Sequence, residues 1–249
     1  MILCYLVAIS FFATLVRSTF GFGESLVAVP LFALVVPLEV AVPLAVLVSV
    51  LVASVVVAQD HRKVHVYSAK WLIASAIPGI PIGLLILIRG NAYWVKVALG
   101  LLIIGYCISM ILAKGSLRLE RESKGWMLGC GFLSGVLGGA YGLNGPPLVI
   151  YGHLRRWSAA HFRATLQAYF LVVSLIGLTG YAIKGLVGWA IIRDFLWCLP
   201  AIVPAIFWGR WLNRRLHGEA FYGYVNWGLI LIGLLLIGAT VAGKAVTMG

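Results

Sequence analysis

The sequence predicts an all-α polytopic membrane protein made of two inverted repeats, each a broken or re-entrant helix pair followed by three transmembrane helices. Three observations carry this. The 249 residues are 62% hydrophobic and only 10% charged, against about 45–50% and about 25% in a soluble domain; the mean hydropathy is +1.05. Short apolar segments come in pairs, and each pair flanks an interruption bearing glycine. The order of landmarks then repeats once along the chain. At roughly 20 apolar residues per crossing, the length allows about seven to ten crossings and no soluble domain.

The elements follow in order. Segment 2–17 has no basic run before it and no small-residue cleavage site, so it reads as a retained helix. The stretch "FGFGESL" at 20–26 interrupts the hydrocarbon, and segment 25–37 resumes it. Segments 39–58, 71–88 and 93–113 read as three crossings. After a basic linker, segments 126–140 and 147–154 flank the second interruption, "YGLNGPPLVIY" at 141–151. Segments 159–183, 188–212 and 222–243 close the chain. Segments 2–17, 25–37, 126–140 and 147–154 are short for a hydrocarbon core of about 30 Å.

Phe20-Gly21 recurs as Tyr141-Gly142, 121 residues later. Trp71, Pro78 and Gly83 recur with the same spacing as Trp197, Pro204 and Gly209, offset by 126. "GLLIIG" at 100–105 recurs as "GLILIG" at 228–233, offset by 128. Collinear matches of this kind mark a duplication, with repeats over 1–113 and 126–249 joined by a linker, 114–125. Basic residues orient the halves. Loops 59–70, 114–125, 153–158 and 210–219 are rich in Lys and Arg and are assigned to the cytoplasm. Region 36–40 and both termini then fall outside. Equivalent loops lie on opposite sides, which makes the repeat inverted.

Irregular backbone at membrane depth is tolerated where it is buried in protein or lines a cavity. Paired, interrupted segments at matching places in two halves point to a transporter binding site. The breaks supply Gly21, Phe22, Gly23 and Ser25 on one side and Gly142, Asn144, Gly145 and Pro146 on the other. Glycine permits positive φ. Ser25 suits an N-cap, and Pro146 or Pro147 a first helical turn. A helix start offers free N–H groups and partial positive charge to an anion. The competing reading is tight packing, which fits Gly129, Gly131, Gly135, Gly138 and Gly139 as small-residue helix contacts.

Ionisable residues in spanning segments are functional candidates. Glu24 stands at a helix start inside a break. It reads either as a proton-coupling or gating carboxylate or as a cap that holds the turn. Arg17 has three readings: a partner for Glu24, a contact for an anion, or a side chain that snorkels to the interface. Arg163 and Gln167 share a helix face at i and i+4, and a guanidinium fork suits an oxyanion; the competing reading of Arg163, about one turn into its helix, is an interfacial side chain. His61, His65, His153 and His217 sit in or near loops without metal spacing, and Cys4, Cys107, Cys130 and Cys198 lie singly in apolar runs. No metal site, cofactor motif or catalytic constellation is present in the sequence, so no enzyme is expected. Trp71, Trp126, Trp189 and Trp197 fall at segment ends, as belt residues do. The net charge of +12 fits topology signals better than nucleic-acid binding, and an anionic substrate also accommodates it.

"RSTFGFGESLVAVPLF", "LSGVLGGAYGLNGPPLVIY" and "HFRATLQAYFL" resemble signature stretches of the sulfite exporter TauE/SafE family, also called the 4-toluene sulfonate uptake permeases, over essentially the whole chain. The resemblance implies a multi-pass inner-membrane secondary transporter of sulfur-containing and related organic anions: sulfite, sulfonates and sulfoacetate-like compounds. It also implies coupling to the proton gradient. Glu24 and Asn144 depart from glycines common in that family. With the breaks, this gives alternating access around a central anion site. An anion channel or uniporter without proton coupling is the alternative, and a non-transporting scaffold a third reading. The expected partners are a small anion, protons and the bilayer, with no nucleic acid; a homo-oligomer stays open.

Overall fold

The structure, a computed structural model, describes residues 2–60, 66–112, 124–155, 159–215 and 219–248. Among the described residues it is helical throughout. The helices are α1 (Ile2–Phe20), α2 (Glu24–Phe32), α3 (Leu38–Asp60), α4 (Val66–Ala76), α5 (Gly79–Arg89), α6 (Ala92–Leu112), α7 (Lys124–Tyr141), α8 (Gly145–Leu154), α9 (Ala159–Ile183), α10 (Trp189–Arg215) and α11 (Glu219–Met248). Among the described residues, five helices are long and apolar enough to cross a membrane, or six if α4 and α5 form one bent span, and the part of α11 with described side chains, Trp227–Gly243, is a shorter apolar helix. The linker 114–125 lies almost wholly outside the described residues.

Several elements differ from the sequence expectation: α2 stops at Phe32 rather than 37 and α11 spans Glu219–Met248 rather than 222–243, and two further differences concern α1 and the crossing 71–88. The first helix runs three residues beyond 17, to Phe20. Arg17, Ser18 and Thr19 are polar, yet all three are buried against neighbouring helices, and the Thr19 hydroxyl donates to the Leu15 carbonyl at 2.7 Å. The expected crossing 71–88 is two helices bent by 41°. Pro78 at that bend has no N–H and disfavours helix at the residue before it. Pro200 and Pro204 do not break α10, which continues through both.

Small residues set the helix contacts. Along α7, Gly131 faces Leu72 and Ser75, Gly135 faces Ala76, and Gly139 faces Ile80 and Gly83, so α7 runs parallel to the bent α4–α5 rod. A Cβ on any of these glycines would collide with backbone or with the Ser75 hydroxyl. Gly129, expected to belong to this stripe, meets nothing within 4 Å. Gly209 of α10 packs on Leu15 and Ser18 of α1, and Asn213 Nδ2 donates to the Thr19 carbonyl at 2.5 Å, so α1 and α10 also run parallel. Gly100 packs on Gly233 and Ile237, and Gly233 on Ile104, which sets α6 and α11 antiparallel. In the register of the duplication expected from the sequence these contacts would be reciprocal: α1 packs on α10 and α7 on α4–α5, while α3 packs on α9 and α6 on α11.

The core gathers around α3 and α9, where Val42, Leu44, Ala45, Leu166 and Tyr169 are fully buried. Outward faces carry exposed apolar side chains such as Phe12, Leu101, Phe207, Trp208 and Leu231. Trp126 and Trp189 stand exposed at helix starts, whereas Trp71 sits in the middle of α4 and Trp197 inside α10, both away from the helix ends at which they were expected. The nine-residue α2 is held at its far end from both sides. Tyr5 donates to the Leu31 carbonyl at 3.2 Å, and Lys96 Nζ to the Ala33 carbonyl at 2.7 Å. The residue before Lys96, Val95, accepts at its carbonyl from the Tyr141 hydroxyl at 3.1 Å.

Candidate functional site

Both breaks turn on left-handed glycine. Gly21 and Gly23 have φ of 85° and 96°, and Gly142 has φ of 65°; residues with a side chain rarely adopt this region. The Gly21 amide closes α1 on the Arg17 carbonyl at 2.6 Å, and the Gly142 amide closes α7 on the Gly138 carbonyl at 2.9 Å. α2 starts at Glu24 behind Gly23, which makes no side-chain cap. Ser25, expected as the N-cap, instead lies in the first turn. Its place is taken by a glycine because the chain must reverse there with positive φ. α8 starts at Gly145 with Pro146 and Pro147 in its first turn, as expected.

The breaks meet. A Cβ on Gly142 would lie 3.9 Å from Ser25 Oγ, and one on Gly145 would lie 3.9 Å from Phe22 Cβ. Between them is a small, half-open cavity, lined by Arg17, Phe22, Gly23, Glu24, Ser25, Leu26, Ser49, residues 142–146 and Phe170.

Arg17 organises the first break. It is buried, so the interface reading falls. Its Nη1 donates to Glu24 Oε2 and to Ser49 Oγ, each at 2.5 Å, and its Nη2 donates to Gln167 Oε1 at 2.8 Å. Its guanidinium lies 5.2 Å from the centre of the Phe170 ring, a cation–π contact. Gln167 Nε2 donates to the Gly21 carbonyl at 2.8 Å. One glutamine of the second half thus holds both the arginine and the turn of the first. Glu24 is also buried, and its Oε1 has no hydrogen-bond partner among the described residues. A buried charge needs a partner, because removing one ion from such a pair costs about 3–5 kcal/mol. The cavity lining therefore carries two opposite charges already matched to each other.

Neutral groups hold the second break. The Asn144 carbonyl accepts from Ser134 at 2.6 Å, and Tyr169 donates to Ser134 Oγ at 2.9 Å. Asn144 Nδ2 donates to Ser174 Oγ at 3.3 Å. The Tyr181 hydroxyl donates to the carbonyls of Gly138 and Gly139, at 2.8 and 2.9 Å.

The structure brings together Arg17, Gly21, Phe22, Gly23, Glu24, Ser25, Gly142, Asn144, Gly145, Pro146 and Gln167. Arg163 belongs to α9, but its side chain lies outside the described residues. Sequence reasoning missed Ser49, Phe170, Ser134, Tyr169 and Ser174. Phe170 was findable as the i+3 neighbour of Gln167 on one helix face, and Ser49 as a hydroxyl in the middle of an apolar span. Nothing in the sequence marks Ser134 or Tyr169.

Chemically, the site can receive an anion. α2 presents the first-turn amides of Glu24, Ser25 and Leu26 beside a guanidinium, against the apolar surfaces of Phe22, Leu143 and Phe170. The family model described as sulfite exporter TauE/SafE matches residues 6–242, a span that contains both breaks. No curated protein and no solved structure matches the chain.

Proposed function

The chain belongs to the sulfite exporter TauE/SafE family of membrane transporters, and from that premise we propose that it is a secondary-active carrier of small sulfur-containing or organic anions, coupled to protons and working by alternating access. One observation carries the reading: the buried Arg17–Glu24 pair stands where two broken helices from the two halves meet. Arg17 and the amides at the start of α2 receive the anion. Glu24 is released from Arg17 as the anion takes its place, and the freed carboxylate takes up a proton. Gln167 restores the connection between the halves when the anion leaves. In this reading Gly21, Phe22, Gly23, Ser25, Gly142, Asn144, Gly145 and Pro146 form the wall, and Arg163 lies on the cytoplasmic approach.

The repeats of this proposal are 1–113 and 126–249, inverted about an axis in the membrane plane. The reciprocal helix pairing and the antiparallel run of α6 beside its equivalent α11 support that inversion. The protein sits in the inner membrane with both termini outside. Flux in proteoliposomes containing a trapped pH dye tests the function. Sulfite, a sulfonate, sulfoacetate, sulfate and a short carboxylate are added in turn, with and without a pH gradient. Saturable luminal acidification with one sulfur oxyanion, beyond that of empty vesicles, supports the carrier. Anion movement without protons supports the channel or uniporter instead.

A further inference from the structure

The two breaks are unequal in charge. The register that aligns Gly21 with Gly142 sets Arg17 against Gly138, Gly23 against Asn144 and Glu24 against Gly145. Ser49 and Ser174, 125 residues apart, fall within the same collinear series of offsets. In the first half Arg17 Nη1 donates to Ser49 Oγ at 2.5 Å. In the second, Asn144 Nδ2 donates to Ser174 Oγ at 3.3 Å, and Asn144 Oδ1 lies where a side chain on Gly138 would begin. The Asn144 amide thus fills the place of the missing guanidinium and repeats its bond to the equivalent serine, without its charge. The start of α8 is also poorer in donors than that of α2, because Pro146 and Pro147 have no N–H.

Arg17 and Glu24 are the only ionisable residues that line the cavity among those described. On the helices packed against α2, Lys96 of α6 lies at the opposite end, on the Ala33 carbonyl, with Glu39 of α3 near it. We propose that the centre accepts one monovalent oxyanion together with one proton on Glu24, and rejects divalent anions, which narrows the sulfur anions above to singly charged ones and excludes the sulfoacetate dianion. The proposal rests on the carrier reading above. With Glu24 protonated, Arg17 matches one negative charge. A second charge would stay buried and unmatched, which is far costlier than a lost hydrogen bond. The anion and the proton enter together and leave together, so one turnover moves no net charge.

Methanesulfonate and sulfate are tetrahedral oxyanions of similar size that differ by one charge. With the full chain in proteoliposomes, methanesulfonate uptake is expected to saturate and to keep its rate under an imposed potassium–valinomycin potential. Sulfate is expected to compete at least about 100-fold more weakly. Sulfate competing within about tenfold, or uptake that follows the potential, overturns the charge limit, while saturable methanesulfonate uptake preserves the carrier reading. No saturable uptake of either anion overturns both. In Glu24→Gln the carboxyl proton is removed from the cycle, and residual uptake is expected to become potential-driven; uptake still indifferent to potential in that variant overturns the role of Glu24.

Discussion

Arg17 is the residue on which the site depends most. Replacing it with Gln leaves Glu24 buried beside neutral groups, and the expected loss is about 3–5 kcal/mol. Thermal unfolding in detergent reads this directly. The double variant Arg17→Gln/Glu24→Gln is expected to recover most of the loss, since no unmatched charge remains. A double variant as unstable as the single one would mean that the pair contributes through packing. Gln167→Leu keeps the side-chain volume but removes the bonds to Arg17 and to the Gly21 carbonyl. Each unsatisfied buried group costs about 1–3 kcal/mol, so the stability effect is smaller than that of Arg17→Gln. Its transport defect is expected to exceed its stability defect, because the bond it removes joins the two halves. Equal, proportionate losses in flux and in folded protein would reduce Gln167 to a structural role.

Short helices raise a different question, since α2 and α8 have 9 and 10 residues and isolated helices of that length are marginal. Their order comes from what holds their ends. For α2 that is Lys96 and Tyr5 at the far end. Lys96→Met removes a cation from the last carbonyls of α2 and is expected to cost about 0.3–1 kcal/mol, with a larger effect on flux if the position of Glu24 depends on it. Measurement of both in one preparation separates the two. On α7, Gly139→Leu is expected to destabilise by about 1–3 kcal/mol or more, because the backbone of α5 lies against that glycine; a folded variant with unchanged melting would contradict the close packing. The breaks themselves were legible because glycine, proline and a carboxylate interrupt hydrocarbon, and the long helices because apolar runs have few other uses. The split at Pro78 was not legible. Pro200 and Pro204 look the same in sequence and leave α10 intact, so the outcome depends on the helix packed alongside. The last three residues of α1 were not legible either, because Ser18 and Thr19 are polar and only the helix packed alongside shows that α1 continues through them. The neutral clamp around Asn144 was equally hidden, because Ser134, Tyr169 and Ser174 acquire meaning only when α7, α8 and α9 are assembled.

At the scale of the whole molecule, the proposed inverted duplication makes a claim about sidedness. Single cysteines at 91 and 184, in a background where the exposed Cys4 is Ser, are expected to react with an impermeant thiol reagent from outside, and a cysteine at 120 from inside. Labelling of 91 and 184 from opposite faces would undo the inverted arrangement. The helix pairing also bears on how the two halves of the proposed carrier would move without leaking. Val95 and Lys96 are neighbours on α6, yet one holds Tyr141 at the tip of the second break and the other holds the far end of α2 in the first. A single rod is therefore fastened to both breaks, which in the proposed carrier are the two doors of the passage. In a carrier, such a fastening lets neither door swing without tugging on the other, and a vestibule open at both ends would have to tear one of the two fastenings first.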